Sequence, residues 1–349
     1  MSRFILTFYL TLLLIVGNAQ VQFMHYTTED GLPDNNSEAI YRDSDGYLWI
    51  GTYNGLSKYD GYRFQLYPSS DTVKGIIGNS VFKIFEDNQH KIWIGSNKGL
   101  SLYDKKNDKF VNFKNLSCIT DIEQDKRGFL WICSHTGLFK IDPCSNKIEK
   151  RYTITNGLSS NILTSSVIDA EDNIWISTQN NGLMEINTLK GNIKAILPNI
   201  KINGKIITNK ISSLDVDNKG NLWIGTDNEG VFVLNLKNKL FSKFEFKKSK
   251  NCTFSTNNID QVYFDSEQNL WICQNGYLLK YDFNLKSFIT FEAQKLNERY
   301  INENNVCFIT EDKDKNFWIG SFGCGIYCLN KQQNIFQVYT RIPETTCGL

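Results

Sequence analysis

Asp43-Ser44-Asp45-Gly46-Tyr47-Leu48-Trp49-Ile50-Gly51-Thr52 reads as a turn feeding a strand, and the chain repeats that sentence seven times. Aspartate bonds to backbone amides two residues on and glycine tolerates positive φ, so the first four residues turn the chain. The next six are almost continuously apolar, as in a strand packed on both faces. All seven tryptophans hold the same place: Trp49, Trp93, Trp131, Trp175, Trp223, Trp271 and Trp318. An aspartate stands six residues before each: Asp43, Asp87, Asp125, Asp169, Asp217, Asp265 and Asp312. Successive tryptophans lie 44, 38, 44, 48, 48 and 47 residues apart. That period, with short β-rich segments inside each unit, signals a blade-by-blade propeller.

Reading outward from Trp49, residues 36–41 form an innermost strand a and residues 47–52 strand b. Residues 53–55 turn into strand c at 56–59, and Asp60-Gly61 turns into an outer, more polar strand d at 62–67. The expected fold is all-β: a seven-bladed β-propeller of four-stranded antiparallel blades over residues 20–340. Either residues 23–27 or residues 336–340 supply the outer strand that closes the ring, and the sequence leaves both open.

Two residues after each tryptophan comes a small side chain: Gly51, Gly95, Cys133, Ser177, Gly225, Cys273 and Gly320. Trp and this residue share one face of the strand, and the slot is expected to admit bulk from the adjacent blade. Cys133 and Cys273 are therefore small core residues rather than parts of a disulfide framework, although the chain has nine cysteines. Asp43 with Asp45, and Asp312 with Asp314, suggest a calcium loop, but the partner oxygens vanish in other repeats. Calcium takes six to eight oxygens, so these are expected to be turn-capping carboxylates with no metal.

Residues 1–19 are expected to be a signal peptide. Arg3 precedes an apolar and hydroxyl run over residues 4–16, and Gly17 and Ala19 fit a cleavage site before Gln20. The formal charge of +1 gives no electrostatic reason to bind nucleic acid. Three scattered histidines, no nucleophile elbow, no zinc-binding helix and no phosphate loop leave no catalytic constellation and imply no cofactor. The chain is read as a non-enzyme.

Asp30-Gly31-Leu32-Pro33, then Asp-x-x-Gly-x-Leu-Trp-Ile-Gly-Thr over residues 43–52, then Asn54-Gly55-Leu56 resembles the two-component regulator propeller repeat. That repeat occurs in the periplasmic sensor halves of hybrid two-component systems of gut Bacteroidetes. The resemblance covers residues 22–340. It implies a periplasmic sensor, an oligosaccharide ligand, and, in an intact homologue, a second propeller, further sensor domains and a homodimer. A structural or protein-docking propeller without a small ligand is the alternative. Residues 341–349 resemble the opening of an eighth repeat, so the sequence reads as an N-terminal fragment.

Strands b–c and d–a turn at the same end of the ring, where recognition is expected. The fourth residue after each tryptophan varies: Tyr53, Asn97, His135, Gln179, Asp227, Asn275 and Phe322. Amides and carboxylates bond sugar hydroxyls, and Tyr53 and Phe322 can pack on a sugar's apolar face. Long d–a connections at residues 198–210, 247–258 and 293–305 are expected to wall a groove beside Asp227, Asn228, Asn275, Arg299 and Tyr300.

Overall fold

Each of the seven repeats folds into one antiparallel sheet ordered a–b–c–d, and the sheets are arranged radially as blades. The computed structural model of the chain describes residues 23–70, 74–196, 201–202, 205–206, 210–245, 258–291 and 306–330. Blade 1 comprises Ser37–Arg42, Leu48–Thr52, Gly55–Tyr59 and Phe64–Tyr67, within two residues of the expected bounds. Each inner strand packs against that of the next blade, and the seventh, Val306–Glu311, packs against the first. Among the described residues the one helix is a single turn, Ile154–Asn156, between blades 3 and 4.

The ring closes with the N-terminal segment. Phe23–Tyr26 pairs antiparallel with Ile326–Leu329 as strand d of blade 7, in the register Phe23↔Leu329 to Tyr26↔Ile326. Residues 336–340 lie outside the described residues, as do residues 1–19 and 341–349.

The core is seven interblade cores rather than one. Trp49 packs with Ile84, Ile92, Ile94 and Tyr103 of blade 2, and the pattern continues until Trp318 packs with Ile40, Leu48 and Ile50 of blade 1. Five of the tryptophans are among the largest fully buried side chains. The small slot does admit the neighbour. A Cβ on Gly51 would lie 2.5 Å from Val81 Cγ1 of blade 2, and one on Gly95 2.6 Å from Ile119 Cγ2 of blade 3. Blade 7 differs: there Phe308, directly opposite Gly320 on its own inner strand, folds over the slot. Cys133 and Cys273 fill the same position, buried and free.

The repeated aspartates do more than cap turns. In all seven blades the second carboxylate oxygen accepts the indole N–H of the tryptophan six residues on, at 2.8–3.0 Å. The first oxygen accepts backbone N–H groups of the turn; for Asp125 these are Arg127 at 3.0 Å and Phe129 at 2.9 Å. One buried carboxylate thus fixes both a turn and an otherwise stranded buried donor. The spacing of six follows from that double duty. At the outermost aspartates, cations already stand opposite: Arg42 pairs with Asp312 at 3.2 Å and Asp314 at 2.8 Å, and Lys105 with Asp45 at 2.9 Å.

Candidate functional site

Strand a of each blade has no strand on its axial side, so its polar backbone groups need other partners. Side chains of the preceding blade supply many of them. Asp121 accepts the Ser166 N–H at 2.7 Å, Asp215 the Phe264 N–H at 2.6 Å, and Gln261 the Ile309 N–H at 2.7 Å. This requirement makes the axial channel polar. The seven inner strands surround a cavity of about 500 Å³.

Within it Lys83 pairs with Asp121 at 2.6 Å. Burial pushes the Glu123 carboxyl up to about 8, Asp121 and Asp215 adding to the effect and Lys83 opposing it. Burial likewise pushes Asp215 up to about 6, against hydrogen bonds from Phe264 and Val216.

The mouth of the channel is set by a backbone irregularity. In six blades strand a carries a β-bulge just after its first paired residue, as where Ser37↔Thr52 is followed by Ala39↔Gly51. A bulge re-aims the unpaired side chain. The residues at this position are Glu38, Phe82, Thr120, Thr164, Ser212 and Cys307, with Asp260 at the corresponding place in blade 6, and all line the cavity. In blades 3, 4 and 5 the position is structural. Thr120 donates to Leu163 O at 3.2 Å, Thr164 to Ile211 O at 3.1 Å, and Ser212 to Ile259 O, each reaching the next blade. Blades 6, 7, 1 and 2 form a contiguous arc carrying other chemistry: Asp260, Cys307, Glu38 and Phe82.

Above this ring stand the predicted turn residues. The backbone N–H groups of Tyr53, Asn97, Gln179 and Asp227 donate to carbonyls just before strand a of the same blade, so b–c and d–a turns do share one end. Tyr53 and Phe322 come together across the junction of blades 1 and 7, edge to face, with ring centroids 5.5 Å apart at 80°. The Tyr53 hydroxyl and the Glu38 carboxyl lie close enough to shift one another. Burial raises the Glu38 carboxyl, and the Tyr53 hydroxyl opposes the rise.

Asp227 and Asn275 also converge. The Asn275 N–H donates to Asp260 at 2.9 Å, and Asp227 ion-pairs with Lys210 while adding to the rise of the Asp260 carboxyl. Burial is the main cause of that rise, to about 6.

The other turn residues stay separate. Asn97 donates to Asn79 at 3.0 Å, and His135 lies 3.7 Å from Cys118 Sγ with its imidazole pKa lowered by burial. Gln179 and Asn228 are exposed. Arg299 and Tyr300 lie outside the described residues, as does most of each long d–a connection; Lys201–Ile202 pairs with Lys205–Ile206 in the first of them. Sequence reasoning missed the bulge ring, although its members all stand eleven residues before a tryptophan. That regularity was readable; what it meant required the bulge.

Comparison with known proteins fits this architecture. Residues 31–54, 75–98 and 205–228 match the family described as the two component regulator propeller. A 63-residue stretch is 38% identical to histidine kinase P4 of Formosa agariphila, covering 18% of this chain and 5% of that protein. The extracellular domain assigned to hybrid two-component system BT3049 of B. thetaiotaomicron superposes with TM-score 0.72 at 23% identity, over 88% of this chain and 41% of that one. A streptogramin B lyase superposes with TM-score 0.66 at 15% identity, over 89% of this chain and 99% of the lyase. At these identities the superpositions establish the fold, which sensor domains and an enzyme share. The chain spans less than half the length of the extracellular domain it resembles.

Proposed function

We infer that this chain of two component regulator propeller repeats is a periplasmic ligand-sensing module of a two-component system, and that its ligand is an oligosaccharide. The observation that carries the reading is the mouth of the ring. A scaffold repeated seven times holds two tiers of side chains there, and both tiers differ from blade to blade. Residues that vary on a rigid frame are suited to selectivity, whereas the frame residues are occupied in holding it. Amides, carboxylates and two aromatic rings are the groups that hold a polyhydroxylated ligand with apolar ring faces. The likeness to the extracellular domain of a hybrid two-component system supports the location and the signalling role.

Calorimetry with neutral oligosaccharides tests the reading. Saturable binding that weakens in Asp227→Ala is expected. No hydrolysis of the bound saccharide is expected. A second reading draws on the greater length of the matched extracellular domain: the same face docks a further domain. A folded protein that binds none of the saccharides favours this docking.

A further inference from the structure

The bulge tier and the turn tier single out the same sector of the mouth. Blades 3, 4 and 5 spend the bulge position on stitching to the next blade. In blades 7, 1 and 2 that position carries Cys307, Glu38 and Phe82. Directly above, the two aromatic turn residues of the whole tier, Tyr53 and Phe322, meet. Phe322 is 49% exposed, which an aromatic ring on a turn does not need for the fold. The edge-to-face contact braces Phe322 without covering it, and the Tyr53 hydroxyl in turn lies beside the Glu38 carboxyl. The corner therefore has a preorganised ring and a carboxylate at its base.

Resting on the sensing reading above, we propose that this corner at the blade 7–blade 1 junction is the stacking subsite for a neutral pyranose, whose apolar face lies on Phe322 while a ring hydroxyl donates to Glu38. The ligand then bridges the seam at which the N-terminal strand is held to blade 7 by pairing and packing. Blade 7 owes its outer strand to the four-residue ladder of Phe23–Tyr26 on Ile326–Leu329. Gly325 N–H donates to Asn35 O at 2.8 Å, and Ser37 Oγ to Ser321 O at 3.4 Å, on the blade 1 side of the same seam. A ligand that binds the closed ring and not the opened one stabilises closure by mass action. Occupancy of the subsite should thus fasten the seam.

Cellohexaose, xylohexaose, mannohexaose and maltohexaose, titrated calorimetrically into the whole chain, are the probes. The expected result is that at least one binds and that Phe322→Ala weakens it roughly tenfold or more. Phe322 is an exposed turn residue, so the variant should fold; Tyr53→Phe keeps the brace and removes only the hydroxyl beside Glu38, with a smaller loss expected. Hydrogen exchange at Phe23–Tyr26 should slow on binding in wild type and not in Phe322→Ala. Saccharide binding that Phe322→Ala and Glu38→Gln leave untouched overturns the subsite while the sensing reading stands. Weakened binding with unchanged exchange at Phe23–Tyr26 overturns the fastening. No binding of any of the four by wild type overturns subsite and sensing reading together.

Discussion

At the a–b end of the ring, seven aspartates accept seven indole N–H groups at 2.8–3.0 Å. At the b–c end, the residue four places after each tryptophan is a tyrosine, an amide, an imidazole, a carboxylate or a phenylalanine, according to the blade. The two ends belong to the same strands, some five residues apart, so difference in mobility or position along the chain does not explain the contrast. Partnering does. At the a–b end each carboxylate satisfies buried donors that have no alternative, so the geometry dictates the residue. At the b–c end of blades 1 to 5 the backbone makes the structural hydrogen bonds itself, through the N–H of the turn residue. The side chain is released from duty there and can serve recognition.

Asp125→Ala attacks the contrast at its strongest point. It leaves the Arg127 and Phe129 N–H groups and the Trp131 indole without their acceptor. A loss of about 3–5 kcal/mol in urea unfolding is expected. Asp125→Asn keeps one carbonyl oxygen and should lose about half as much. A loss under 1 kcal/mol for the alanine variant would mean that the aspartate repeat is not what holds the blades.

Gly95→Ala probes the slot two residues after the tryptophan. The added methyl would meet Ile119 Cβ at 2.8 Å as well as Cγ2 at 2.6 Å, both on the next blade. Overpacking of this kind costs about 1–3 kcal/mol, to be read from the same unfolding curves. A neutral outcome would show that the blades can slide apart by several tenths of an ångström, and that the ring is softer than its aspartate clamps suggest.

The fold was legible because its determinants are periodic. Trp, its aspartate and the small slot recur at fixed offsets, and each offset reflects a contact repeated seven times. Ring closure was not legible: residues 23–27 and 336–340 are alike in pattern, and the choice of Phe23–Tyr26 depends on which segment meets Ile326–Leu329 in space. The mouth was half legible. Divergence marked Tyr53 and Phe322, but their meeting required blades 1 and 7 to be adjacent, which no local pattern states. Glu38 and Phe82 were hidden because a bulge reverses the alternation by which a strand residue is assigned to a face. The second oxygen of each aspartate leaves no separate mark in the sequence, because turn chemistry alone accounts for the residue.

Between the two ends lies the channel, where Glu123 tests what polarity costs the ring. Its carboxyl pKa in the folded protein is about 8, against 4.5 for an ordinary glutamate, and burial is the chief cause. The folded state therefore keeps a proton that the unfolded chain gives up. Its contribution is fully present below about pH 4.5 and is lost as pH rises through 8. Glu123→Gln should match wild type near pH 4.5 and exceed it at pH 9, the gap opening as pH rises from 4.5 to 8. The measurement is unfolding free energy across that range. A variant less stable than wild type at pH 9 would mean that the charged carboxylate is held by Lys83 instead of strained by burial.

The smallest expected effect is the most exacting for the contrast. Gln179 occupies the turn of blade 4, far around the ring from the Tyr53–Phe322 corner, and its side chain is exposed. Its backbone N–H donates to Ile162 O at 3.1 Å, a bond that any residue but proline can make. The turn's other support comes from Thr178, whose hydroxyl donates to Gly182 O at 3.0 Å and accepts the Asn181 N–H at 3.0 Å. Gln179→Ala removes none of these. Stability should stay within about 0.5 kcal/mol of wild type. Affinity for a hexasaccharide should change by less than about threefold, well short of the loss expected for Phe322→Ala, because a polar side chain exposed to water gives up nearly as much solvation as it gains in contact. A destabilisation beyond 1 kcal/mol would show that the divergent tier also carries the fold. An affinity loss matching that of Phe322→Ala, at unchanged stability, would move the centre of recognition from the closure seam to the opposite side of the mouth.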